Sequence, residues 1–145
     1  FFFFFFLFFL LILLIVVILV VAFAVIQNVQ KERELANYNS QYEKYLNGQQ
    51  LYGTDVATLI NKAMNDNQKN NVEKDEKGYY INNNTNSIKL YIKLVQDGED
   101  FPMERIFEVG MTEFVKNFNI EDFKCTKIKY HKETGMVSEV YFEVI

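Results

Sequence analysis

The sequence predicts an α+β protein, in which a long N-terminal hydrophobic helix continues into a small domain of helices packed on an antiparallel sheet. Three observations predict it. Phe1 to Ile26 holds no polar side chain, although the chain as a whole is only 50% apolar and 23% charged. The residues after this run keep a helical rhythm of apolar positions as far as Asn47. Beyond Gly48, stretches with a helical apolar period alternate with stretches of period two. With 145 residues in all, the part outside the apolar run is enough for one small domain and too little for two. Six Gly, one Pro, one Cys and 15 Phe exclude collagen, a disulfide scaffold and a wholly disordered chain.

Twenty-six apolar residues form a helix of about 39 Å, against a bilayer hydrocarbon core of about 30 Å, so the run spans with tilt to spare. A secretory signal has a shorter apolar region followed by a small-residue cleavage site, whereas Ala22 and Ala24 lie inside this run. No Gly, Ser or Thr interrupts it, so a tight small-residue helix pair is not encoded, and bulky side chains must interdigitate instead. Phe1, Phe5, Phe9, Ile12, Val16, Val20 and Phe23 follow one stripe of this helix and are the expected assembly positions. No ionisable group lies within the run, which excludes a transport path or proton relay through it. Phe1 stands where an initiating Met would, so the orienting flank is expected to have been removed or to lie outside the sequence. The flank that is present, Lys31, Glu32, Arg33 and Glu34, is balanced and carries little cytoplasmic retention signal. The domain is therefore expected outside the cytoplasm.

Past the run, Leu35, Tyr38, Tyr42, Tyr45 and Leu46 define one apolar stripe, with Lys31, Glu32, Asn39, Gln41, Glu43 and Lys44 opposite. One helix from Phe1 to about Asn47, about 70 Å long, is expected. Leu35, Tyr38, Tyr42 and Tyr45 should pack against the domain, with Gly48 as the stop. The organisation is thus a transmembrane or filament-core helix over 1–26, its amphipathic continuation over 27–47, and an extracytoplasmic α+β domain over 48–145.

Within that domain, Thr54 can cap a helix carrying Val56, Leu59, Ile60, Ala63 and Met64 on one face. Asn65 to Lys77 has Val72 as its one apolar residue and reads as a solvated loop. Tyr79 to Ile81 reads as a short strand, Asn82 to Asn86 as a turn, and Ile88 to Leu94 as a half-buried strand by strict alternation. After a turn over Gln96 to Asp100, Pro102 opens a helix with Met103, Ile106, Phe107, Met111, Phe114, Val115 and Phe118 on one side. Phe123 to His131 and Met136 to Val144 read as two strands joined by a hairpin turn at Lys132 to Gly135.

Candidate chemistry is sparse. His131 and Cys125 are the only residues of their kinds, which excludes an internal disulfide and any site needing two such ligands. Six residues of strand, about 20 Å, separate them, too far for a nucleophile pair. The carboxylates Glu73, Asp75 and Glu76, and then Asp97, Glu99, Asp100 and Glu104, fit solvated turns and lack the spacing of a calcium loop. The sequon Asn83-Asn84-Thr85 is discounted, because 15 Asn make chance matches common. A net charge of -4 with two Arg argues against nucleic acid. No catalytic, cofactor or metal residue is assigned, no small-molecule substrate is indicated, and no side-chain constellation supports an enzyme.

In layout the chain resembles type IV pilin-like proteins: an initial Phe1, about 26 apolar residues, an unbroken amphipathic continuation, then a small domain with strands. Phe5 stands where that pattern has Glu, and the helix-breaking Gly or Pro and the C-terminal Cys pair are absent. The stretch Tyr38 to Gly48, followed by Gly53 to Ile60, also resembles single-pass surface proteins of low-GC Gram-positive bacteria, in keeping with the chain's many Phe, Ile, Asn, Lys and Tyr. The resemblance implies a structural subunit of a pilus-like filament, homo-oligomeric through its apolar helix. The alternative is a single-pass, bilayer-anchored extracytoplasmic domain that binds or senses.

Overall fold

The computed structural model describes residues 1–46, 48–118 and 122–145. Helix α1 (Phe2–Glu43) runs without a break through Gln27, as expected where neither Gly nor Pro interrupts the ladder. It stops earlier than its apolar stripe suggests: Lys44 to Leu46 turn, with the Leu46 N–H bonded to the Glu43 carbonyl at 3.0 Å. Asn47 itself lies outside the described residues. The chain divides into two compact units, Phe1–Asn37 and Tyr38–Ile145.

The second unit is an α+β domain. Strand β1 (Leu51–Tyr52) leads into helix α2 (Gly53–Lys69), β2 (Lys89–Lys93), β3 (Asp100–Pro102), helices α3 (Met103–Val109) and α4 (Met111–Phe118), and strands β4 (Asp122–Tyr130) and β5 (Val137–Val144). The five strands form one sheet in the order β1-β4-β5-β2-β3. The β4–β5 hairpin forms as the sequence implies, closed by His131 N–H to the Met136 carbonyl at 2.8 Å. The expected wholly antiparallel sheet is corrected in its middle: β2 runs parallel to β5, Leu90 facing Val140 and Ile92 facing Phe142. Between the β2–β3 hairpin and β4, α3 and α4 intervene as the longer connection that such parallel pairing needs. The alternation in β2 buries Leu90 and Ile92 completely, together with Val140 and Phe142 of β5 and Val56, Ile60 and Met103 of the helices.

Four further elements differ from the periodicity. Helix α2 continues through Asn65–Lys69, expected to be loop, because Asn67 lies one turn beyond Ala63 on the buried face. Its amide donates to the Ile88 carbonyl at 2.7 Å and accepts the Ile88 N–H at 2.8 Å. The helix starts at Gly53, not after a Thr54 cap, and Asp55 Oδ2 accepts the Tyr52 N–H at 2.8 Å. A Cβ on Gly53 would lie 2.1 Å from the Phe118 carbonyl oxygen, so only glycine lets α2 begin against the end of α4. The single helix expected from Pro102 to Phe118 is two helices, because Gly110 sits at φ 116 and cannot continue an α-helix. Finally, Tyr79 to Ile81 contributes only an isolated bridge, Lys74 to Tyr80, and not a strand.

Candidate functional site

The largest feature is the surface of α1. Every large apolar side chain from Phe1 to Ile26 is exposed, from 43% at Leu10 to 104% at Phe1, and the most apolar stretch has a mean hydropathy of 3.7. Phe1, Phe5, Phe9, Ile12, Val16, Val20 and Phe23 all lie on this surface. Contiguous apolar area on that scale is unstable against water, so a bilayer or another apolar surface is its compatible environment. The helix is long and apolar enough to cross a membrane.

Of the positions expected to pack against the domain, Leu35 falls in the first unit and Tyr38, Tyr42 and Tyr45 in the second. Tyr42 is fully buried, and Tyr38 and Tyr45 pack against the same core. The Tyr42 hydroxyl donates to Asp66 Oδ2 at 2.6 Å, Lys62 pairs with the same oxygen at 2.9 Å, and the Lys62 ammonium lies over both the Tyr38 and Tyr42 rings. Asn39, placed by sequence on the solvent face, is buried. Its amide donates to the Gly135 carbonyl and accepts the Val137 N–H, each at 2.9 Å, holding the turn end of the β4–β5 hairpin. Its only sequence signal is its position beside Tyr38 and Tyr42, which the helical stripe does not cover.

A second buried polar centre joins β2, α3 and the loop before them. Lys89 pairs with Glu104, and the two hold one backbone residue between them: Lys89 Nζ donates to the Tyr80 carbonyl at 3.0 Å, and the Tyr80 N–H donates to Glu104 Oε2 at 2.9 Å. Glu104 is thus the exception in the carboxylate group expected to be solvated, and Glu104 Oε1 is buried with no hydrogen-bond partner among the described residues. At 4% and 2% exposure Lys89 and Glu104 are closed to a substrate, and their role is to fix the path of the chain at Tyr80.

The two residues weighed as a nucleophile pair are engaged separately. His131 is buried with Nε2 2.6 Å from the Ser87 carbonyl, and burial pushes the Cys125 thiol up, away from thiolate chemistry. Asn83 of the sequon builds its own turn: Oδ1 accepts the N–H groups of Thr85, Asn86 and Ser87 at 2.8 to 3.0 Å. On the sheet, Tyr91 and Tyr141 stack with centroids 5.1 Å apart, and the Tyr141 hydroxyl donates to Glu139 at 2.8 Å. Burial alone would raise the Glu139 carboxyl, but bonds from Tyr141, Lys129 and Asn82 outweigh it and hold the group below the ordinary range. Partial burial and the same bond push the Tyr141 phenol up to about 12.

One open groove of about 830 Å³ lies along α2, lined in part by Asn61, Asn65, Gln68 and Asn71. Among the described residues, no three His, Cys, Asp or Glu side chains come together as a metal site. No protein-family model, curated protein or solved structure matches the chain, so its function is argued from these features alone.

Proposed function

We propose that the chain is a structural subunit of a pilus-like surface filament, held together by its apolar helix and displaying the α+β domain outside the cytoplasm. The observation that carries this reading is the uninterrupted apolar surface from Phe1 to Ile26, which has no polar residue to make a transport path and no Gly, Ser or Thr to make a tight pair. Such helices are stable in a bilayer before assembly and in a bundle of their own kind afterwards. A balanced flank at Lys31 to Glu34 fits export of the domain.

Negative-stain microscopy of cells making the full chain, combined with lysine-reactive crosslinking of the exposed domain, tests the reading. Filaments and a ladder of multimers are expected, both lost on deletion of residues 1–26. A single monomer band with no filament under any growth condition overturns it. The second reading, a single-pass anchored binding or sensor domain, is favoured by the open groove on α2, and would keep its ligand when the helix is deleted.

A further inference from the structure

Four side-chain amides line one wall of the groove. Asn61, Asn65 and Gln68 are spaced four and three residues apart on the exposed face of α2, and Asn71 continues the row just past the helix end. No hydrogen bond among the described residues engages any of these four amides. That sets them apart from Asn39, Asn67, Asn70, Asn82 and Asn83, each of which bonds backbone or a side chain within the domain. Across the groove stand Tyr80 and Phe107, the latter 43% exposed, with Met64 and Val72 adding apolar surface. The Lys74 ammonium lies 4.9 Å from the centroid of the Tyr80 ring and has no carboxylate within ion-pair distance among the described residues. Among the described residues no Asp or Glu lines the groove, although Glu73, Asp75 and Glu76 flank Lys74 in the chain.

These groups specify a ligand class. Each amide offers two donors and an acceptor, so a row of them suits a partner whose groups also both donate and accept, as hydroxyls do. From Asn61 to Gln68 the row covers about 10 Å of helix, and Asn71 extends it, which is more than a single sugar ring fills. The exposed Phe107 ring provides an apolar face for the C–H side of such a ring. Lys74, the one cation among the lining residues, offers its ammonium to a single negative charge. The volume lies within the range of ordinary ligand sites. A peptide strand finds less here, since the wall is a helix and the facing backbone forms only the Lys74 to Tyr80 bridge.

We propose that this groove binds a short oligosaccharide bearing one carboxylate, with its hydroxyls on the amide row, a ring face on Phe107 and its carboxylate at Lys74. The proposal holds whether the apolar helix assembles or only anchors, because every group it uses lies between Asn61 and Phe107. The full chain in phosphatidylcholine nanodiscs, passed over an array of immobilised oligosaccharides, tests it. Sialyllactose and lactose serve as the matched pair with and without a carboxylate, and extended peptides are arrayed beside them. Retention on carboxylate-bearing oligosaccharides is expected. Asn65→Ala with Gln68→Ala should weaken it at least tenfold, and Lys74→Gln should erase the preference for the acidic member of the pair while keeping binding to both. Retention of no oligosaccharide, retention unchanged by the double variant, or retention of the peptides alone overturns the proposal. All three substituted side chains are outside the buried core, so the sheet and helices should survive, which far-ultraviolet circular dichroism confirms.

Discussion

From Phe2 to Ile26 in the first unit no side chain is buried and none is polar, whereas the second unit buries six polar or charged residues: Asn39, Asn67, Ser87, Lys89, Glu104 and His131. Each of the six has at least one partner, most of them on distant backbone. The difference teaches that the two units are specified in different ways. The helix surface is defined by composition, since any apolar residue satisfies an apolar surrounding about as well as another. The domain is defined by position, since a buried amide or ammonium is tolerable only where its partner sits.

The most severe way to break this contrast is to leave half of the buried ion pair. Lys89→Met strands the Glu104 carboxylate and should destabilise the domain by about 3 to 5 kcal/mol, read by denaturant titration. Lys89→Met with Glu104→Met should recover most of the loss, because two apolar groups replace two charges; failure to recover would show that the Tyr80 backbone needs both. In the other unit, Val16→Lys should cost about 2.5 to 3.5 kcal/mol in membrane partition and leave domain unfolding unchanged. A shift in the domain's midpoint would contradict the separate specification.

Asn39→Ala removes two hydrogen bonds at the hairpin and should cost about 2 kcal/mol, with faster amide exchange at Val137 as its local signature. The pH dependence from Glu139 is smaller. Its carboxyl is held below the ordinary value, so the ionised form favours the folded state above that value, and this contribution disappears as pH falls through the folded pKa. Glu139→Gln should therefore lower stability modestly in the neutral region, where that contribution is present, leave the acid extreme little changed, and so flatten the acid limb of the profile. Smallest of all, shuffling the order of residues 7 to 21 while keeping their composition should alter membrane partition by less than about 0.5 kcal/mol. A larger change would mean that the helix too is specified by position.

The same distinction explains what could be read in the sequence. The long apolar helix, the hairpin of β4 and β5 and the alternation of β2 are patterns of neighbours, and those elements stand where the periodicity puts them. Asn67, Lys89 and Glu104 look like solvent residues because their partners are 9 to 24 positions away, and those of Asn39 are 96 and 98 away. The break at Gly110 escaped because the apolar stripe continues through it, and Phe107, counted as core, is left exposed by the turn. The parallel pairing of β2 with β5 has no local signature at all, since it depends on how the chain returns across the sheet. Asn65, Gln68 and Asn71 of the amide row read as polar loop, because Asn65 and Gln68 continue a helix whose buried face there is held by Asn67.

The position of β5 between β4 and β2 orders events in time. Synthesis runs from the N-terminal side, so the apolar helix is made before the domain and the strand that joins the two halves of the sheet is the last of the five to emerge. Until Val137 to Val144 is in place, β1 with β4 and β2 with β3 are separate pieces, each with an open edge. The apolar helix is thus synthesised whole while its domain still lacks the keystone strand that closes the sheet.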